Sequence, residues 1–265
     1  MDKPIGIFDS GIGGLTVAKE IIKLLPYENI VYFGDTARVP YGIKSRETII
    51  KFSLENTLFL LQKDVKMIVV ACNTSSSYAL PVVRKHFKIP ILGVIMPGAK
   101  EAVYATKNKK IGVIGTRATI NSKAYEEEIG RLDPTIKVFS QACPMFVPIV
   151  EEGWVNDDIA VKVAQKYLSP LKKKGIDTLI LGCTHYPLLK KKIQKIMGKG
   201  VTLIDSAQQV AFEVTQVLSQ EGLLNKKRGR PVREYYVTDE VAIFKNVAQR
   251  FLGSALKEVK KVPNV

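Results

Sequence analysis

The sequence predicts an α/β fold of two similar units, each built on a mostly parallel sheet flanked by helices, with a ligand cleft between them. Three observations carry this. Short β-branched runs alternate with amphipathic helical stretches, the pattern of repeated strand–helix units. Several strands are near-continuous apolar runs, as expected where helices cover both faces of a parallel sheet. Two segments also recur in the same order at nearly the same separation: IGIFDS (5–10) is echoed by IGVIGT (111–116), and IVVACNT (68–74) by LILGCTH (179–185). A cleft between two such units is a favoured place for a small ligand.

The elements follow in order. IGIFD (5–9) reads as a strand, and residues 15–25 as a helix with Leu15, Ala18, Ile21, Ile22 and Leu25 on one face. NIVYF (29–33) is the next strand, followed by the turn-rich loop GDTARVPYG (34–42). Ser45 is placed to cap a helix over 46–62, with Leu54, Leu58 and Leu61 on its buried stripe. Further strands are expected at 67–72, 90–94, 110–115, 136–140, 177–183 and 201–205. No Pro/Gly/Ser-rich linker separates the halves, and VIMPG (94–98) is the natural boundary. The last segment is expected to return to the first unit. The first domain then comprises 1–96 plus 207–265, and the second 97–206.

Composition narrows the class. Of 265 residues, 46% are hydrophobic and 25% charged, close to the globular average, which excludes disordered and low-complexity chains. The longest apolar runs, such as MIVVAC, fall far short of the ~20 residues that span a bilayer. The N-terminus lacks the basic and apolar regions of a signal peptide, and three cysteines make no disulfide framework. Both point to the cytoplasm. The net charge of +15 would attract nucleic acid, an anionic surface or a small acidic substrate. The basic run KKRGRPVR (226–233) contains Gly and Pro and no interleaved aromatics, so it reads as a solvated loop. Nucleic acid and membrane are therefore not expected partners.

Two cysteines stand out. Cys72 and Cys183 each end a predicted parallel strand, where ligands bind in open α/β sheets. Small polar residues follow each: Asn73, Thr74 and Ser75 after the first, Thr184 and His185 after the second. Such donors suit a carboxylate and would lower a thiol's pKa. Cys143 lacks both features and reads as structural, and His86, beside Arg84 and Lys85, as a solvated helix face. A metal site built on Cys72, Cys183 and His185 is a weak competitor, because no CxxC spacing is present. Asp9 ends the first strand, where it could cap the following helix. Gly11 and Gly13 with Asp35 sketch an imperfect dinucleotide fingerprint, with Thr16 at the third glycine position. From spacing alone, Glu151 and Glu152 mark an exposed helix end.

Five segments, IFDSGIGGLTV (7–17), YFGDTARVPYG (32–42), ACNTSS (71–76), IGVIGTRATINS (111–122) and LGCTHYPLL (181–189), together resemble the cofactor-independent aspartate/glutamate racemase family. They span most of the chain in the family's order. The resemblance implies two pseudo-symmetric α/β domains, no cofactor and no metal, and commonly a homodimer. It implies that Cys72 and Cys183 are the acid/base pair, with Asp9 assisting the first and His185 the second. Glu151 matches a family carboxylate near the second cysteine. Asp9, Ser10, Tyr41, Gly42, Asn73, Thr74, Thr184 and His185 would hold the substrate. That substrate would be L- or D-glutamate, with D-glutamate supplied to peptidoglycan, and aspartate is the rival. The departures from the family pattern are small: ACNTSS has serines where alanine is common.

The chemistry explains the pattern. Racemisation removes the α-proton from one face and returns one to the other. Two groups on opposite faces spare the site a reorientation, and one must be thiolate while the other is thiol. No lysine sits in a Schiff-base context, so the carbanionic transition state must be met by preorganised donors.

Overall fold

The computed structural model describes residues 3–225 and 229–263. Ten strands are present among them: β1 (Ile5–Asp9), β2 (Ile30–Gly34), β3 (Met67–Val70), β4 (Ile91–Gly93), β5 (Lys110–Gly115), β6 (Lys137–Ala142), β7 (Thr178–Gly182), β8 (Thr202–Ile204), β9 (Arg233–Val237) and β10 (Lys260–Lys261). They form a six-stranded sheet, β10-β9-β2-β1-β3-β4, and a four-stranded sheet, β6-β5-β7-β8. Every pairing in both is parallel. The order β2-β1-β3-β4 is repeated as β6-β5-β7-β8, so the echoed sequences occupy matching central strands.

The helices between strands of the first sheet are α1 (Leu15–Leu24), α2 (Arg46–Gln62), α3 (Asn73–Tyr78) and α4 (Leu80–His86). Next come α5 (Ile95–Ala105), α6 (Arg117–Asn121), α7 (Ala124–Leu132), α8 (Phe146–Glu151), α9 (Asp158–Lys173) and α10 (Lys190–Met197). α11 (Ser206–Gln220) returns the chain to the first sheet, and α12 (Val241–Leu252) is the crossover between β9 and β10.

Alternation along β1 sends Ile5 and Ile7 to one core and Phe8 to another. The first core is continuous across the two sheets. It joins Leu15 and Ile21 of α1 to Val210 and Val214 of α11, and to Phe146 and Ile149 of α8. Phe8 packs with Phe33, Phe59 and Val83, and a third cluster around Ile111, Val113 and Ile180 joins the small sheet to Ala99 of α5 and Ile129 of α7. Each such side chain, fully buried, stabilises the fold by about 1.5–3 kcal/mol.

Three expectations need correction or refinement, and one strand was not foreseen. Leu58 is 47% exposed; α2 instead buries Ile49, Ser53, Asn56, Thr57 and Leu60. Leu54 and Leu61 do pack, partly buried, against the cluster of Phe59 and Leu60, while Asn56 meets the polar loop after β2. The strand expected at 136–140 runs from Lys137 to Ala142. Helix α5 begins at Ile95, inside the VIMPG boundary, with Pro97 in its first turn, where a missing N–H costs nothing. β10 has no apolar run to announce it. Ser45 does cap α2, its hydroxyl accepting from the Thr48 N–H. No helix of the described residues is long and apolar enough to cross a membrane. Of the basic run, residues 226–228 lie outside the described residues; Arg230 is exposed and Arg233 opens β9.

Candidate active site

The C-terminal ends of β3 and β7 lead directly into Cys72 and Cys183. Both side chains are buried, and both line one cavity of about 290 Å³. Ser10, Tyr41, Gly42, Asn73 and Thr74 line it from the six-stranded-sheet side, and Glu151, Thr184 and His185 from the other. Of the residues that the resemblance assigns to the site, only Asp9 is absent from the wall; it is fully buried beside it.

Around Cys72 the groups are those of β1 and its following turn. The Cys72 thiol donates to Ser10 Oγ at 3.6 Å. Asp9 Oδ2 accepts the Gly11 N–H at 3.1 Å, while Oδ1 is buried with no hydrogen-bond partner. Asp9 does not cap α1: no side chain caps that helix at Gly14. Burial pushes the Asp9 carboxyl up, against the pull of His185 and the backbone N–H groups. Burial, and then the Asp9 charge, push the Cys72 thiol up to about 11. The lowering expected from polar neighbours is thus overturned: the serine hydrogen bonds do lower it, but desolvation outweighs them.

Cys183 has a different neighbour. Its sulfur lies 3.8 Å from His185 Nδ1, and His185 Nε2 is 2.9 Å from Glu151 Oε1. Burial alone would lower the imidazole. The hydrogen bonds to Cys183 and Glu151 overcome that and push it up to about 10. Those contacts favour the protonated imidazole. Cys183 has an imidazole beside it where Cys72 has a carboxyl.

The two sides touch through short polar contacts. Thr74 Oγ1 is 3.0 Å from Thr116 Oγ1 and 3.1 Å from Thr119 Oγ1. Tyr125 donates its hydroxyl to Asn73 Oδ1 at 2.7 Å, which aligns that amide. Gly13 lies so close to the second side that a Cβ there would sit 2.2 Å from Thr184 Oγ1 and 2.6 Å from His185 Nδ1. Its glycine is a requirement of close approach.

Asp35 is committed elsewhere. It is fully buried; Oδ2 accepts from Arg38 Nε at 2.6 Å and from the Tyr41 hydroxyl, and Oδ1 from Thr238 at 3.2 Å. It cannot meet a ribose, so the dinucleotide reading is overturned. Asp35 instead anchors Tyr41 in the cavity wall, with Asn56 Nδ2 donating to the same hydroxyl at 3.1 Å. Cys143 is buried, its carbonyl accepting from Tyr186 at 2.9 Å, and burial pushes its thiol up. His86 is exposed and bonded to Val82 O at 2.8 Å. Among the described residues no group of three or more His, Cys, Asp or Glu side chains is arranged to hold a metal ion.

Sequence reasoning missed part of the wall. Thr116 and Arg117 line the cavity, as do Val39, Pro40, Val147 and Pro148. Thr116 had a usable signal, since it occupies the place of Ser10 in the echoed segment. The apolar residues had none.

Two matching sheets with a thiol at each strand end and one cavity between them define a racemase-type α/β protein. Residues 11–213 match the model of the Asp/Glu/hydantoin racemase family, and the chain belongs to that family, a class of isomerases. Within it, the similarity is to glutamate racemases. The glutamate racemase of Geobacter metallireducens is 50% identical over 260 residues, covering 98% of this chain and 96% of the relative. The solved structure of glutamate racemase isoform RacE1 from Bacillus anthracis matches with a TM-score of 0.95 at 44% identity, over 98% of this chain and 97% of that one. That of the Francisella tularensis glutamate racemase, in complex with D-glutamate, matches with a TM-score of 0.93 at 43% identity, over 99% and 98%.

Proposed function

We propose that this racemase interconverts L- and D-glutamate by a two-thiol proton transfer at the α-carbon. One observation carries the reading: Cys72 and Cys183 end corresponding strands of two like sheets and open into one cavity from its two sides. The thiolate of one cysteine takes the α-proton, breaking C–H and forming S–H. The thiol of the other gives its proton to the opposite face, where the carbanion's electron pair forms the new C–H bond. The configuration inverts and the two sulfurs exchange roles. Burial beside Asp9 disfavours a thiolate on Cys72. The His185 imidazolium complements a thiolate on Cys183.

Asp9 and His185 poise the two thiols, and Glu151 holds His185. Ser10, Tyr41, Gly42, Asn73, Thr74 and Thr184 supply donors to the two carboxylates and acceptors for the ammonium, with His185 nearby. Donors preorganised in this way stabilise charge developing toward the α-carboxylate. Glutamate as substrate is supported by the names of the relatives and by the D-glutamate bound to the Francisella tularensis protein. We read the units as 1–96 with 207–265, and 97–206, in agreement with sheet membership. Supply of D-glutamate to peptidoglycan and assembly as a homodimer rest on the family resemblance, and cytoplasmic residence also on three free, buried thiols.

The test is proton NMR of L- and, separately, D-glutamate with the protein in D2O, with chelator present and no cofactor added. Loss of the α-proton signal with growth of the other enantiomer by polarimetry is expected. Turnover of aspartate in place of glutamate would reassign the substrate, and no exchange with either acid would overturn the reading.

A further inference from the structure

Helix α12 lies more than fifty residues after the last residue of the cavity wall in sequence, yet it reaches the wall from behind. Arg250 Nη1 donates to Glu151 O at 2.8 Å and to Val150 O at 3.4 Å, the last carbonyls of α8. These acceptors carry the partial negative charge of a helix C-terminus, which a guanidinium complements. Gly153, with φ of +79°, makes room for it: a Cβ there would lie 2.7 Å from Arg250 Nη1. The next residue, Phe251, packs edge-on against the His185 ring, centroids 5.5 Å apart. Lys19 of α1 in turn donates to Phe251 O at 3.5 Å, tying the end of α12 to the first sheet's helices.

One helix end thus holds the backbone of Glu151 and the ring of His185 together, and it belongs to the six-stranded sheet. Both of its targets belong to the four-stranded one. No comparable contact reaches Asp9 or Cys72 among the described hydrogen bonds and ring contacts of α12. We infer that Arg250 is a positioning residue that, with Phe251, locks the Glu151–His185 pair against Cys183 and so serves one of the two proton-transfer faces. The catalytic consequence rests on the two-thiol reading above; the locking itself does not.

Two measurements on the full chain separate these. The chain has only two histidines, His86 and His185, so ¹⁵N-imidazole NMR resolves His185 from a surface control. Cys183, Glu151 and Asp9 are the ionisable groups acting on it. In Arg250→Ala the His185 titration is expected to move down toward the ordinary histidine value of about 6.5, with His86 unchanged. Arg250→Lys, which keeps the charge and a donor, restores part of it, and Gly153→Ala, which displaces the guanidinium, reproduces the loss. An unmoved His185 in folded Arg250→Ala overturns the proposal, whatever the reaction proves to be.

The second measurement is α-proton exchange in D2O in single-thiol backgrounds. Arg250→Ala is expected to slow exchange served by Cys183 (in Cys72→Ser) about ten-fold, the cost of sub-ångström misplacement, and to leave exchange served by Cys72 (in Cys183→Ser) within about two-fold. Equal slowing in both backgrounds would mean a general structural role and sink the inference. Failure of both parent backgrounds to exchange would sink the two-thiol reading instead, leaving the His185 titration to decide the locking.

Discussion

Cys72 and Cys183 stand at the same place in two sheets of the same strand order, but their surroundings are unlike. Behind Cys72 is Asp9, buried and with one oxygen unpartnered; beside Cys183 is His185, paired to Glu151. The first environment disfavours a thiolate and the second complements one. A repeated fold can therefore deliver two groups to opposite faces of a ligand while local residues make the two unequal. The inequality gives the two thiols different intrinsic preferences for the proton. It also arises from different links in the chain: Asp9 comes from the neighbouring strand β1, His185 from two residues downstream, and Glu151 from a helix.

The comparison breaks most sharply at the sulfurs. Cys72→Ser and Cys183→Ser should each reduce racemisation by about a thousand-fold or more, as loss of a positioned acid or base does. Each variant should still exchange the α-proton of one enantiomer, and the two should choose opposite enantiomers, read by NMR in D2O. If both exchanged the same enantiomer, the sulfurs would not face opposite sides.

The poise of Cys72 gives the next largest effect. On the two-thiol mechanism proposed above, turnover needs one thiol and one thiolate, so kcat/KM should fall at high pH as Cys72 loses its proton, near 11. Asp9 raises that value by repulsion, although burial is the larger cause. Asp9→Asn should therefore move the alkaline limb down, and a pH profile with the limb unmoved would separate Asp9 from Cys72. A drop in kcat of roughly 10–100-fold is expected alongside.

On the other side the signature is in stability. The His185 value is raised in the folded protein, to about 10, so its pairing stabilises the fold most below the unfolded value of about 6.5 and ceases to as pH rises through about 10. Glu151→Gln should thus lower the Tm most near pH 6, and the gap to the parent should close toward pH 10 and above. A gap independent of pH would mean that Glu151 acts through packing alone.

The smallest effect tests the echo between the units. Ser10→Ala and Thr116→Val remove hydroxyls from corresponding positions of the wall, and each should raise KM about three- to ten-fold with a lesser change in kcat, the range for one lost hydrogen bond. A large effect from one and none from the other would locate the substrate's carboxylates on a single side.

Much of this was legible in the residues. Apolar runs such as MIVV and TLILG, alternating with amphipathic helices, fit covered parallel strands, and the repeated order exposed the paired cysteines. The family resemblance supplied His185 and Glu151 as assistants. Other parts had no local signal. Helix α2 turns Asn56 inward to Tyr41 and Arg38 of the loop after β2, buries Ser53 and Thr57 with their hydroxyls bonded to its own carbonyls, and leaves Leu58 outside. Asp35 looked available for a ligand and is consumed by Arg38, Tyr41 and Thr238.

What the sequence determined by itself was the alternation of strands and helices, the duplication and the two thiols at strand ends, because these depend on hydrophobic period and on residues close along the chain. What only the tertiary structure decided was the sign of each thiol's environment and the wall behind it. Desolvation of Cys72 by its surroundings, the meeting of Glu151 with His185, and the reach of Arg250 to α8 all depend on groups distant in sequence. Burial and long-range contact are properties of the packed chain, and no local pattern encodes them.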